Sequence, residues 1–187
     1  MAEAGALQAR LVDTNVLIVA SAADAGSPFG TESTPIEEAA LRQQVFDWLE
    51  AFVADPTRHA VLDVDWHVCG EYRHKLTEQD YGWLAMMHKM DRGEVVWVDV
   101  LLNKDGNAVL PTELAEAVTD LADRKMVAAA LAALDAGHAT QITNAADTDW
   151  IDCQQALHAV GLEMENLLPD WLQARWRQKH PPVRRAK

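Results

Sequence analysis

The stretch ARLVDTNVLIVASA, residues 9–22, decides the fold of this chain. The polar triplet Asp13-Thr14-Asn15 interrupts a short β-rich apolar run, and the apolar residues then resume. Such a pattern predicts a buried strand that ends near Asp13 and turns into a helix. The stretch therefore places a carboxylate at the carboxyl end of a strand.

The rest of the chain alternates between helical and strand-like segments. Spacing and composition predict helices over 37–54, 65–76, 77–90 and from 147 or 148 to 160, and a long helix or a close pair over 112–136. Short β-rich runs predict strands over 59–63, 94–102 and 138–143, with LEMENLLP, residues 162–169, as an edge strand. This alternation predicts an α/β protein in which a central, mainly parallel sheet of four to five strands is covered on both faces, a three-layer α/β/α sandwich.

Length and composition bound the class of protein. With 187 residues, of which 49% are hydrophobic, the chain suffices for one α/β domain with a sizeable core. We expect that domain over residues 1–174 and a basic tail over 175–187. No apolar run approaches the roughly 18 residues that span a bilayer, and the start MAEAGALQAR lacks the pattern of a secretory signal. These features predict a cytoplasmic protein with no membrane contact.

The basic residues are segregated at the end of the chain. The formal net charge is −13, which by itself opposes binding to phosphate backbones. Six of the 16 Lys and Arg residues lie in the last 13 residues, which contain no acid: Arg175, Arg177, Lys179, Arg184, Arg185 and Lys187. This tail is either a solvated appendage or a nucleic-acid-binding arm, in which Trp176 is the best candidate for stacking on a base.

Several acids stand where the pattern predicts burial or the end of a strand. Asp13 follows the first strand, Asp123 lies in an apolar helix, and Asp147 and Asp149 follow the fourth strand. Clustered, buried carboxylates repel one another unless a proton, a base or a cation intervenes. Oxygen ligands without cysteine or paired histidine favour Mg²⁺ or Mn²⁺ over Zn²⁺. Each acid also has a simpler interpretation, as a helix cap or as half of an ion pair.

Four segments together carry a family resemblance. They are LVDTNVLI (11–18), GEYRHKL (70–76), DLADRKMVAAAL (120–131) and ITNAADTDW (142–150). In this order and spacing they resemble the signature blocks of PIN-domain nucleases. The resemblance implies a PIN-like fold and Mg²⁺- or Mn²⁺-dependent cleavage of single-stranded RNA, with DNA as another substrate. It also implies the role of a toxin or defence effector, an antitoxin or defence-complex protein as partner, and a homo-oligomer.

The same resemblance assigns roles to individual residues. The metal ligands and catalytic residues would be Asp13, Glu71, Asp123 and Asp147, with Asp149 as a rival for the last position. The fourth block departs from the commoner family pattern, because Ala145 and Ala146 are inserted and Trp150 replaces a phenylalanine. Asn15, Thr143 and Arg124 are candidates for positioning the substrate. Asn15 could instead fix the turn after the first strand, and Arg124 could be a solvated charge.

Two other functions compete with the nuclease. A phosphatase of the haloacid-dehalogenase kind also places an aspartate after its first strand, but it needs a second aspartate two residues later, where this chain has Asn15. A non-catalytic PIN-like interaction module would keep the fold without the reaction.

Overall fold

The structure, a computed structural model, describes residues 7–181. Its five strands are β1 (Gln8–Val12), β2 (Arg58–Asp63), β3 (Val95–Val98), β4 (Ala139–Asn144) and β5 (Glu163–Asn166). All of them run parallel in one sheet of order β3-β2-β1-β4-β5. The predicted α/β class and the parallel sheet are therefore confirmed.

Eight α-helices within residues 7–181 flank the sheet. They are α1 (Thr14–Ala23), α2 (Ala39–Ala54), α3 (His67–Lys75), α4 (Tyr81–Asp91), α5 (Thr112–Ala117), α6 (Leu121–Asp135), α7 (Asp149–Ala159) and α8 (Pro169–Lys179). Helix α6 contacts β1, β2, β3 and β4 and covers one face, whereas α1, α2 and α4 pack against one another in the other layer. The predicted three-layer arrangement is confirmed. None of the helices in this part of the chain is long and apolar enough to cross a membrane.

The core of the sheet is built from its central strands. In β1 the side chains of Ala9, Leu11 and Val12 are fully buried, and β2 buries Val61 and Leu62 to the same degree. A strand that is shielded on both faces carries a nearly continuous apolar run, because neither face meets water. The buried centre fixes the position of the strand ends, and β1 ends at the residue just before Asp13.

Two helix boundaries follow the expected signals. The predicted long helix or close pair over 112–136 is a pair, α5 and α6, separated by three residues in which Asp120 caps α6. Gly137 follows α6 with a φ of 90°. This left-handed conformation ends a helix and is cheap only for glycine.

The C-terminal segment differs from the expectation of a tail. Residues 175–179 belong to α8, so the boundary expected after residue 174 falls inside a helix. Pro169 occupies the first turn of α8, where its missing N–H costs nothing, and Leu172 is buried beneath it. Helix α8 therefore packs on the domain, although its segment lacks the long apolar stripe that would predict a helix from sequence.

Candidate metal centre

Asp13 lies at the junction of β1 and α1 and is held in place by two hydrogen bonds. Its Oδ1 accepts from the backbone N–H of Asn15 at 3.0 Å, which makes Asp13 the N-cap of α1. Its Oδ2 accepts from the indole N–H of Trp150 on α7. Asp13 is only 6% exposed. A buried carboxylate with two fixed donors has a defined orientation, so its remaining lone pairs can point at a ligand.

Asp123 and Asp147 converge on Asp13 from two other elements. Asp123 lies in the first turn of α6, and Asp147 lies in the loop between β4 and α7. One carboxylate oxygen from each of the three residues lies within 4.8 Å of the other two. We call this group the carboxylate triad. It stands at the carboxyl ends of β1 and β4, where parallel sheets bind ligands.

Burial disfavours the charged form of all three carboxyl groups of the triad. Burial, together with the neighbouring Asp13 and Asp147 carboxylates, raises the pKa of Asp123 to about 8. Burial likewise raises the pKa of Asp13 to about 6, although the donors Asn15 and Trp150 oppose the shift. The pKa of Asp147 is also raised, mainly by burial. A divalent cation would relieve this repulsion, and an all-oxygen donor set suits Mg²⁺ or Mn²⁺.

Asn15 holds the loop that carries Asp147. Its Oδ1 accepts from the backbone N–H groups of Ala145 and Ala146, at 2.8 and 3.0 Å. The loop is closed further by Asn144, whose Oδ1 accepts from the N–H of Asp147 at 3.0 Å. Asn15 therefore ties α1 to the alanine pair that distinguishes the fourth block. In this structure the amide oxygen of Asn15 therefore holds the loop that carries Asp147.

Glu71 lies outside the triad. Its Oε1 accepts from the ammonium of Lys125 at 2.6 Å, and its Oε2 lies 3.4 Å from the His74 ring. Glu71 is on α3, and Lys125 is on α6, two residues after Asp123. The structure thus brings together three of the four ligands that the resemblance implies, while Glu71 is in an ion pair.

Asp149 is beside the triad but not part of it. It opens α7, its side chain is 68% exposed, and it lies 3.5 Å from the ammonium of Lys179. Its backbone N–H donates to the Asp147 carboxylate at 2.9 Å. Between the two rivals for the fourth position, only Asp147 directs a carboxylate oxygen into the triad.

Thr143 and Arg124 have structural partners. The Thr143 hydroxyl donates to Glu165 at 3.0 Å, in a network that includes Arg10 on the same sheet. The Arg124 guanidinium donates to the backbone oxygens of Ala115 and Val118, where it caps the carboxyl end of α5. Both side chains are engaged away from the triad, so the expected substrate-positioning roles do not follow from these contacts.

The six bases of the expected nucleic-acid-binding arm divide into two sets. Arg175, Arg177 and Lys179 lie on α8, and Lys179 donates to the Thr148 hydroxyl at 2.6 Å. Arg184, Arg185 and Lys187 lie outside the described residues. Lys179 is therefore placed at the rim of the candidate site by a helix.

Trp150 is a supporting residue that the sequence analysis did not assign. Its side chain is 1% exposed and belongs to the core, and its indole N–H bonds to the Asp13 carboxylate. A buried indole almost always finds an acceptor. The sequence does contain a signal for this role: Trp150 directly follows Asp149, and the N–H of a buried tryptophan needs a nearby carboxylate or carbonyl as acceptor.

The fold and the triad define an α/β protein with a candidate divalent-metal centre. A comparison of the chain with protein-family models, with curated proteins and with solved structures gives no match.

Proposed function

We propose that this protein is a metal-dependent endoribonuclease that cleaves single-stranded RNA at the carboxylate triad. The observation that carries the proposal is the convergence of Asp13, Asp123 and Asp147, with one oxygen of each within 4.8 Å of the others at the carboxyl edge of a parallel sheet. Burial and the neighbouring carboxylates raise the pKa values of Asp13 and Asp123. Perturbed carboxylates of this kind cluster at functional sites.

The three aspartates would hold Mg²⁺ or Mn²⁺. Such an ion supplies a polarised water and stabilises the charge that develops on phosphate oxygens during hydrolysis. The chain itself supplies the orientation: Trp150 and the Asn15 N–H fix the Asp13 carboxylate, and the Asn15 side chain fixes the loop of Asp147. Substituting a side chain that hydrogen-bonds to a metal ligand typically lowers the metal affinity by about 10- to 100-fold.

The choice of RNA rests on the four segments that resemble PIN-domain nucleases. Three of the implied ligands, Asp13, Asp123 and Asp147, come from three of these segments and meet in space. The triad is the part of the implied site that the geometry supports. A role as a toxin or defence effector belongs to the same proposal and rests on the resemblance alone.

Metal titration and a cleavage assay test the proposal together. We expect Mn²⁺ to bind the wild type and a labelled single-stranded RNA to be cut only when Mn²⁺ or Mg²⁺ is present. Asp123→Asn and Asp13→Asn, which are nearly isosteric, should remove binding and lower cleavage by orders of magnitude. Asp105→Asn, an exposed acid in the turn after β3, is the matched control and should behave as the wild type. Cleavage that is unchanged in folded Asp123→Asn would rule out the triad as the catalytic centre.

A non-catalytic metal-binding module is the second candidate. One observation favours it. Glu71 is held in an ion pair with Lys125, so three carboxylates rather than four face the centre. The assay above separates the two functions, because a module would bind Mn²⁺ through the triad without cutting RNA. The phosphatase alternative gains no support. The position of its second aspartate is occupied by Asn15, whose amide oxygen accepts from two backbone N–H groups.

A further inference from the structure

A cleft of about 370 Å³ adjoins the metal centre. The turn between α5 and α6 forms one wall, and the start of α7 with the end of α8 forms the other. Asp123 lines the cleft and is also a member of the triad, so a ligand in the cleft lies directly beside the metal ligands. The volume falls in the range of small-ligand sites.

The other acids of the cleft already have hydrogen-bonding partners. Asp120 accepts from the backbone N–H groups at the start of α6. Asp149 lies 3.5 Å from the Lys179 ammonium, and Asp152 accepts from the indole N–H of Trp176 at 2.7 Å. The neutral N–H donors satisfy Asp120 and Asp152, and the Lys179 ammonium offsets one of the negative charges of the cleft.

Lys179 supplies the positive charge of the cleft. It is the only lysine or arginine among the described residues that line the cavity. Its side chain is 51% exposed, and its ammonium donates to the Thr148 hydroxyl at 2.6 Å. An ammonium has three N–H donors, and the contacts with Thr148 and Asp149 use two of them. One donor can therefore meet a phosphate oxygen.

His180 places an aromatic ring in the same cleft. Its ring stacks on Trp176, with centroids 4.6 Å apart and an interplanar angle of 27°. Trp176 is itself fixed by its bond to Asp152, so the pair forms a short ordered stack. Within residues 7–181 Trp176 is the only aromatic partner of His180, and the His180 residue is exposed. Among the described residues no other aromatic ring stacks on the imidazole, so its second face can stack on a planar ligand.

We infer that this cleft binds one unpaired nucleotide of the substrate strand, with its base stacked on His180 and its phosphate hydrogen-bonded to Lys179. This inference rests on the proposed function, because Asp123 joins the cleft to the triad. Stacking on an aromatic side chain tolerates any base, since every base has a π face. A base inside a duplex has both faces covered by its neighbours. The cleft therefore selects single strands without reading sequence.

Fluorescence anisotropy tests the subsite in EDTA, where no divalent ion and no cleavage intervene. The probes are a labelled 12-nucleotide single-stranded RNA and the same strand in a duplex. We expect His180→Ala to weaken single-strand binding by roughly 5- to 100-fold, in line with alanine substitutions at other stacking platforms, and to leave duplex binding unchanged. His180→Phe should restore single-strand affinity, because it keeps the ring and loses only the imidazole contact with the Trp176 carbonyl.

Lys179→Gln should weaken single-strand binding and reduce its salt dependence by about 0.7 in log-log slope. The matched controls are His158→Ala at the far end of α7 and Lys104→Gln in the turn after β3, which should match the wild type. Wild-type affinity in both His180→Ala and Lys179→Gln would overturn the subsite, as would no rescue by phenylalanine.

The outcomes for the subsite and for the reaction are separable. If Mn²⁺-dependent cleavage occurs and His180→Ala leaves KM unchanged, the subsite is wrong and the proposed function stands. If His180→Ala weakens single-strand binding but the wild type cuts no RNA, the subsite stands and the catalytic proposal fails.

Discussion

The Lys125 ammonium lies 2.6 Å from the Glu71 carboxylate and joins α6 to α3 next to the carboxylate triad. Both side chains are mostly buried, with 22% and 14% of their surfaces exposed. The pair neutralises the charge of Glu71, which stands outside the cluster of Asp13, Asp123 and Asp147. This ion pair leads to different expected effects on metal affinity for substitutions in the triad and at Glu71.

We predict that Mn²⁺ affinity depends on Asp123 and not on Glu71. Asp123→Asn should lower the affinity at least about 10-fold, because it removes a charged oxygen ligand. The double variant Glu71→Gln with Lys125→Gln removes both charges of the ion pair and should keep the affinity within about threefold. Isothermal titration measures both constants. An equal loss in the two proteins would mean that Glu71 leaves Lys125 and joins the ion.

Trp150→Phe should weaken metal binding while keeping the fold. Phenylalanine retains an aromatic ring in the core but has no N–H, so Asp13 loses one of its two fixed donors. We expect a loss of about 10- to 100-fold in Mn²⁺ affinity, as for other partners of metal ligands. Trp97→Phe, at an exposed indole on the edge strand β3, is the control. Equal affinity in wild type and Trp150→Phe would show that the indole bond only packs the core.

The metal-free protein should lose stability as the pH rises through the range in which the triad ionises. The folded-state pKa of Asp123 is about 8, above its ordinary value of 3.8, so the native state holds this proton more tightly than the unfolded chain does. Unfolding then releases a proton, and stability falls with rising pH between those two values. Asp13, with a folded pKa of about 6, contributes in the same direction over a narrower range.

Thermal melts between about pH 5 and pH 9, with and without Mn²⁺, measure this effect. Without metal, the Tm of the wild type should drop more steeply with pH than that of Asp123→Asn. Mn²⁺ should raise the wild-type Tm most at high pH, because it binds the ionised native state. Parallel pH profiles for the wild type and Asp123→Asn would contradict the assignment of the shift to Asp123.

Two glycine substitutions should change stability in opposite directions. A Cβ at Gly82 on α4 would lie 2.5 Å from the Leu17 carbonyl oxygen and 2.6 Å from its Cβ, so Gly82→Ala forces α1 and α4 apart. We expect the free energy of unfolding to fall by about 1 to 3 kcal/mol. A Cβ at Gly70, inside α3, meets nothing within 4 Å, so Gly70→Ala should gain about 0.5 to 1 kcal/mol. Urea denaturation of the wild type and the two variants measures whether each substitution raises or lowers the free energy of unfolding.

A truncation after Pro181 separates the terminal bases from α8. It removes Arg184, Arg185 and Lys187 and keeps Lys179 on its helix. If these three bases contact RNA, the log-log slope of affinity against salt should become less steep by about 2. Cleavage at saturating RNA should be unchanged, because the triad and the cleft remain. An unchanged slope would identify residues 182–187 as a solubilising appendage.

Local pattern was enough to predict the fold class and the position of the first candidate ligand. The apolar run that stops at Asp13 placed a carboxylate at a strand end, and the structure has Asp13 directly after β1. Strands alternating with helices predicted the parallel sheet, because crossover connections leave neighbouring strands parallel. These features depend on residues close together in sequence, whose periodicity records which side is buried.

Only the tertiary structure decided which side chains meet. Trp150 reaches Asp13 across 137 positions of sequence, Lys125 reaches Glu71 across 54, and Lys179 reaches Thr148 across 31. No local pattern encodes these contacts, because they follow from how α3, α6, α7 and α8 pack around the sheet. The same packing withdraws Glu71 from the triad and brings α8 to its rim, since a buried charge must find a partner wherever the packed helices place one.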